Sequence, residues 1–112
     1  MARSASTATT PAALSYSVQI RQSAERDAAE AQSWYESQQV GLSALFHAEF
    51  SATINRLAET PLIYPVLYRD VRRAVLHRFP YLIWYRVANS TVTVVACTHE
   101  KTNPARAFQR IR

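Results

Sequence analysis

Tyr16, Val18 and Ile20 alternate with Ser17, Gln19 and Arg21, the period-two pattern of a strand with one buried face. The period then lengthens. Ala24, Ala28, Ala31 and Tyr35 are spaced four, three and four, which places them on one stripe of a helix, and alanine on that stripe implies a close-packed neighbour. Ser23 offers an N-cap hydroxyl, with Glu25 and Asp27 near the start, where the helix dipole favours negative charge. Gly41 can supply the left-handed turn that ends this helix. A second helix is predicted from Leu42 to Glu59, with Leu42, Leu45, Phe46, Phe50, Ile54 and Leu57 on its apolar face and Pro61 as its stop. Two helices joined this closely form an antiparallel hairpin, and each has one apolar stripe to lay on the same face of a sheet.

Pro61 to Pro65 reads as a loop, and the remainder as strands. Over Val71–Phe79, Arg72, Ala74, Leu76 and Arg78 share one face, while Val71, Arg73, Val75, His77 and Phe79 share the other. Phe79-Pro80 turns the chain, because proline cannot donate to a ladder. Tyr81–Val87 is the next strand, Ala88-Asn89-Ser90 a hairpin turn, and Thr91–Thr98 the last strand. Pro104–Arg112 is either a short helix or a loose basic tail. The pattern predicts an α+β domain ordered β-α-α-β-β-β, a helix hairpin packed on one face of a small, largely antiparallel sheet. If the helices cover one face, Arg72 and Arg78 fall together on the open face and Arg73 lies near an edge. Tyr81, Trp84 and Tyr85 read as core and hairpin packing rather than a stacking platform.

Charge changes the picture. Residues 62–112 hold nine basic side chains against two acids, Asp70 and Glu100, a balance of +7. Residues 1–61 hold four arginines against six acids, so the two halves sum to the net +5. The C-terminal surface is therefore expected to meet something acidic, nucleic acid or an acidic protein segment. At 112 residues the chain is one domain, spanning residues 15–112, that needs no metal or disulfide to fold. Residues 1–14 read as a disordered N-terminal extension. The single cysteine, Cys97, rules out an internal disulfide and fits a reducing, cytoplasmic setting. No apolar run approaches the ~20 residues of a membrane span, so no membrane partner is expected. One glycine in the whole chain excludes a phosphate-cradling loop and a dinucleotide fingerprint, which need several residues free of Cβ clashes, and no cofactor is expected. Cys97 and His99 share a strand face, yet with His47 and His77 they lack metal-ligand spacing.

From Tyr16 to Arg110 the chain resembles the RelE/ParE superfamily of type II toxin–antitoxin toxins, the plasmid-stabilisation proteins, on the ParE side. The resemblance is carried by an ordered set of features. The opening strand leads to the helix bearing Ala24, Asp27 and Trp34-Tyr35, and the second helix ends in Pro61 followed by Tyr64-Pro65. The arginine strand precedes Phe79-Pro80-Tyr81 with Ile83, Tyr85 and Val87. Val94-Val95-Ala96 then leads to His99, Asn103-Pro104, Phe108 and Arg110. The resemblance implies a growth-inhibiting protein held inactive in a hetero-oligomer by a cognate antitoxin that lies over the hairpin and along the sheet. It also implies one of two targets. One branch binds and poisons DNA gyrase. The other cuts mRNA on the ribosome. A third outcome is a degenerate member that binds its antitoxin and harms nothing.

Cleavage of RNA by 2′-OH attack needs a base, an acid and cations at one phosphate. Arg72, Arg73 and Arg78 would supply charge, His99 the acid, and Glu100 or Asp70 the base. The ribonuclease branch carries several lysines and a C-terminal tyrosine, whereas this chain has one lysine, Lys101, and no tyrosine after Tyr85. Gyrase binding is the expectation, with Arg72, Arg78, Trp34, Lys101, Arg106 and Arg110 as the surface that meets target or antitoxin. On that reading Arg72→Ala with Arg78→Ala removes activity and leaves thermal stability nearly unchanged. For His99 the plain structural reading is a strand-end histidine that caps a backbone carbonyl.

Overall fold

The computed structural model describes residues 15–111, and the N-terminal extension expected at residues 1–14 lies outside them. The elements run β1 (Ser17–Ile20), α1 (Gln22–Gln38), α2 (Leu42–Glu59), a 3-10 turn (Pro61–Ile63), β2 (Val66–Tyr68), β3 (Val71–Val75), β4 (Tyr81–Ala88), β5 (Thr91–His99) and α3 (Pro104–Ile111). The strands form one sheet in the order β1-β5-β4-β3-β2, with β1 parallel to β5 and every other pair antiparallel. The α+β class and the helix hairpin on one sheet face are as expected from the pattern. Among the described residues no helix is long and apolar enough to cross a membrane.

The stripe of small residues on α1 does what its spacing implied: Ala24, Ala28 and Ala31 are buried, and α1 lies close over β5. Phe46, Phe50 and Leu57 of α2 complete this core with Ala74, Ile83, Tyr85, Val94 and Cys97. Leu45 of the same expected face stays 46% exposed. The N-cap assignment fails. Arg21 precedes α1 without a side-chain cap, and Ser23 Oγ donates instead to the carbonyl of Val95. Gly41, with φ +99°, begins α2 rather than closing α1. The Glu36 carboxylate replaces the missing cap, accepting the N–H groups of Gly41 and Ser43.

One strand goes beyond the expected order, and the C-terminal segment takes the helical of its two expected forms. Val66–Tyr68 pairs with β3 at Val66↔Arg72 and Tyr68↔Val71. Pro104–Ile111 is a helix, and it lies on the sheet face opposite the hairpin, where Ala107 and Ile111 bury against Val71, Leu82, Trp84, Val95 and Ala96. The sheet is thus covered on both sides. A bulge helps to build this second core: the β4–β5 register slips between Trp84↔Ala96 and Tyr85↔Val94, which turns both Val95 and Ala96 toward α3. The arginine strand ends early, at Val75, and residues 76–80 form a turn that the Glu49 carboxylate ties to α2 through the N–H of His77.

Candidate functional site

Strand alternation divides the arginines. Arg72 pairs with Tyr85 on the hairpin side of the sheet, and Arg73 pairs with Trp84 on the α3 side. The expectation that Arg72 and Arg78 share an open face is therefore corrected. Arg72 Nη1 donates to the carbonyl oxygens of Leu62 and Tyr64, pinning the loop that follows α2. A guanidinium beneath such a loop finds several acceptors at once, because the loop backbone has carbonyls that no ladder uses. Arg78 lies exposed in the turn after β3. Arg73 lies just past the last β2–β3 pair, Val66↔Arg72, near the sheet edge as expected, and its guanidinium carbon stands 5.8 Å from the Trp84 ring centroid.

Two grooves flank the start of α3 and share Thr98 and Thr102. The larger, about 570 Å³, opens between α1, the end of β5 and α3, and gathers Trp34, Tyr81, His99, Arg106 and Arg110. Trp34 is 57% exposed at its rim, set edge-on to Tyr35. One carboxylate organises this groove. Asp27 Oδ2 accepts the Cys97 N–H at 3.0 Å and Arg110 Nη2 at 2.8 Å, so it caps the part of β5 that β1 does not reach and holds α3 against α1. Burial, reinforced by the Asp27 charge, pushes the Cys97 thiol up to about 12, which keeps it protonated and unreactive. His99 Nδ1 accepts the N–H of Lys101 at 3.0 Å, and its ring lies edge-on to Tyr81. It caps a backbone amide at the strand end, not the backbone carbonyl expected of it, and the bond leaves Nε2 as the nitrogen that carries the proton. Lys101 projects from the turn before α3.

The smaller groove, about 330 Å³, lies on the α3 side among Leu67, Arg73, Trp84, Glu100 and Phe108. Phe108 stacks on Tyr68 at 4.2 Å and meets Trp84 edge-on, while Trp84 Nε1 donates to Thr98 Oγ1 at 2.9 Å. Tyr85 is buried, with its hydroxyl on the Pro61 carbonyl at 2.6 Å. Trp84 and Tyr85 pack inward, as their pattern implied, while Tyr81, Tyr68 and Phe108 are half-buried and border solvent. Asp70 does not reach either groove. It pairs with Arg86 at 3.0 Å, and that hydrogen bond holds its carboxyl below the usual range.

A family model described as the ParE toxin of type II toxin-antitoxin system, parDE, matches residues 18–104. The chain belongs to the ParE toxin family. A search of the curated proteins finds no match. Among solved structures, the chromosomal ParDE toxin–antitoxin system from P. aeruginosa is similar at TM-score 0.66 and 17% identity, covering 75% of this chain and 95% of that one. The toxin–antitoxin complex RelBE2 from Mycobacterium tuberculosis is similar at TM-score 0.56 and 20% identity, covering 77% and 92%. At such identities the likeness is one of fold.

Within this ParE-family fold the sequence-derived site divides into three places. Arg72 braces a loop, Arg73 lies on Trp84, and Trp34, His99, Arg106 and Arg110 gather at the larger groove. Sequence reasoning missed Asp27 as the organiser of that groove and Arg86 as the link between Asp70 and the Ile111 carbonyl at the end of α3. Neither pair has a local signal, since 83 residues separate Asp27 from Arg110.

Proposed function

We propose that this ParE-family toxin inhibits growth by binding DNA gyrase, without cutting a substrate, and that a cognate antitoxin neutralises it by covering the same surface. One observation carries the choice between binding and cutting. The residues required for RNA cleavage do not converge: Arg72 and Arg73 face opposite sides of the sheet, Arg78 stands in a turn, and His99 opens into a different groove from Glu100. A phosphate cannot be held by all of them at hydrogen-bond distance, as acid–base cleavage demands. The match to the ParE model supports gyrase as the target. Trp34, Arg106 and Arg110 around the larger groove, with Lys101 beside it, are the surface assigned to target and antitoxin, an exposed aromatic among cations.

The test is to express the chain alone in a bacterium and follow incorporation of labelled thymidine and labelled amino acid over the first minutes. Early failure of DNA synthesis with translation continuing is expected, together with loss of supercoiling by purified gyrase. Collapse of translation first, with intact gyrase activity, would overturn the reading and favour the ribosomal nuclease.

A further inference from the structure

We propose that the smaller groove, between the sheet and α3, binds a small aromatic carboxylate that carries a second oxygen at its far end. The surface assigned above to gyrase and antitoxin surrounds the larger groove, so this site stands outside that reading.

A buried hydroxyl marks the floor. Thr98 is 6% exposed, and as the cross-strand partner of Leu82 it points to the α3 side, into the groove. Its Oγ1 accepts from Trp84 Nε1 at 2.9 Å, yet its own O–H has no acceptor among the described residues. A donor buried so deeply is costly until something enters to receive it. A cation stands above. The ion pairs of the described residues are Arg86–Asp70 and Arg110–Asp27, so Arg73 has no carboxylate of its own. Arg73 and Thr98 stand against one indole, the guanidinium over its ring and the hydroxyl at its Nε1 edge. Between them the walls are apolar, formed by Leu67, Leu82, Trp84 and Phe108.

Size and charge select the occupant. The groove holds about 330 Å³, near the lower end of the range for small-molecule sites, which suits one ring with a short arm. A neutral ring would leave Arg73 unpaired, and a cation would be repelled by it, whereas a carboxylate matches its fork of donors. Glu100 borders the same groove but is exposed and stands four residues beyond Ala96, the residue in line with Trp84 and Arg73. That is about 13 Å of extended chain, so the Arg73 end stays positive. A nucleotide would press ribose hydroxyls against the apolar walls and bring two phosphate charges to one arginine.

The test titrates the full chain with 3-(4-hydroxyphenyl)propanoate and follows the two indole N–H signals by NMR, told apart with Trp34→Phe. Saturable binding at about 1 mM or tighter is expected, with the Trp84 signal shifting and the Trp34 signal unmoved. The neutral amide of the same acid should bind about ten-fold more weakly, and the analogue without the phenolic oxygen about three-fold more weakly. Absence of a saturable shift, a shift at Trp34 alone, equal binding of the amide, or tighter binding of uridine monophosphate would each overturn the assignment. Arg73→Gln should erase the preference for acid over amide, and its survival in that folded variant would also overturn it. Should Arg73→Gln not fold, the ligand series on the wild-type chain decides alone.

Discussion

The carboxylate of Asp27 on α1 accepts two donors from elements far along the chain, the Cys97 N–H at 3.0 Å and the Arg110 guanidinium at 2.8 Å. The two bonds differ in worth. Arg110 is 39% exposed and its pair is screened by solvent, whereas the Cys97 amide lies in a buried strand. Asp27→Ala should therefore destabilise the fold by about 1–3 kcal/mol, the range for orphaning a buried donor, and Arg110→Ala by less than about 1 kcal/mol. Urea denaturation of both variants decides it. Equal losses would mean that the ion pair, not the strand cap, is what Asp27 provides.

Arg72 and Arg78 should no longer behave alike. Arg72 braces the carbonyls of Leu62 and Tyr64, so Arg72→Ala should lower stability by about 1–2 kcal/mol, as loss of charge-assisted bonds does. Arg78→Ala, at an exposed turn, should change it by less than about 0.5 kcal/mol. Thermal melts of the single variants separate the two. A neutral Arg72→Ala would return that residue to the list of free surface cations.

Much of this architecture was readable from spacing because helices and strands announce themselves by which positions are apolar. The α1 alanine stripe and the run from Leu42 to Leu57 each describe one face, and each formed as read, apart from Leu45. The alternation across Val71–Val75 also held. What it could not supply was the environment of each face. Nothing local told Arg72 that loop carbonyls would lie over it, or Arg73 that Trp84 would lie under it. Val66–Tyr68 escaped because three apolar residues after Pro65 carry no period. The cover provided by α3 rests on only two buried residues, Ala107 and Ile111, too few for a stripe. The Asp27 groove is made by contacts between chain ends, which single-sequence patterns do not encode.

Glu36 sets a pH dependence. The Ser43 N–H and then the Gly41 N–H hold its carboxyl below the usual range. A carboxyl depressed in the folded state adds stability above its unfolded pKa and loses it as pH falls through the folded value. Glu36→Gln should therefore weaken the fold at neutral pH, with the difference from wild type closing toward about pH 3. Denaturation midpoints across that range test it, and a difference that persists in acid would assign the effect to geometry rather than charge.

Tyr85 gives the opposite sign at the alkaline end. Burial pushes its hydroxyl up to about 12, and that hydroxyl donates to the Pro61 carbonyl. A group raised in the folded state contributes fully below its unfolded pKa and loses that contribution as pH rises through the folded one. Tyr85→Phe should cost about 1 kcal/mol at neutral pH, the usual worth of one buried hydrogen bond, and the cost should shrink above about pH 10. Ultraviolet titration of the wild type should leave one tyrosine protonated after the others have ionised. Its absence would show that the loop above Tyr85 opens before the fold does.

His99 decides between binding and cutting. Its Nδ1 is committed to the Lys101 N–H, and its ring lies beside Tyr81 at a groove that Glu100 does not enter. A general acid removed from a nuclease lowers the rate by about 10²–10⁴-fold, because proton transfer to the leaving oxygen has no substitute. A cap at the rim of a binding surface has no such leverage. His99→Ala should therefore change the concentration of toxin that halves gyrase supercoiling by less than about three-fold, the scale of one modest interface contact. Arg106→Glu, which reverses charge in the same groove, should raise that concentration by more than about ten-fold without altering the melting temperature. A His99→Ala variant that loses all toxicity while still folding and still binding antitoxin would sink the binding reading, since only chemistry concentrates so much effect in one imidazole.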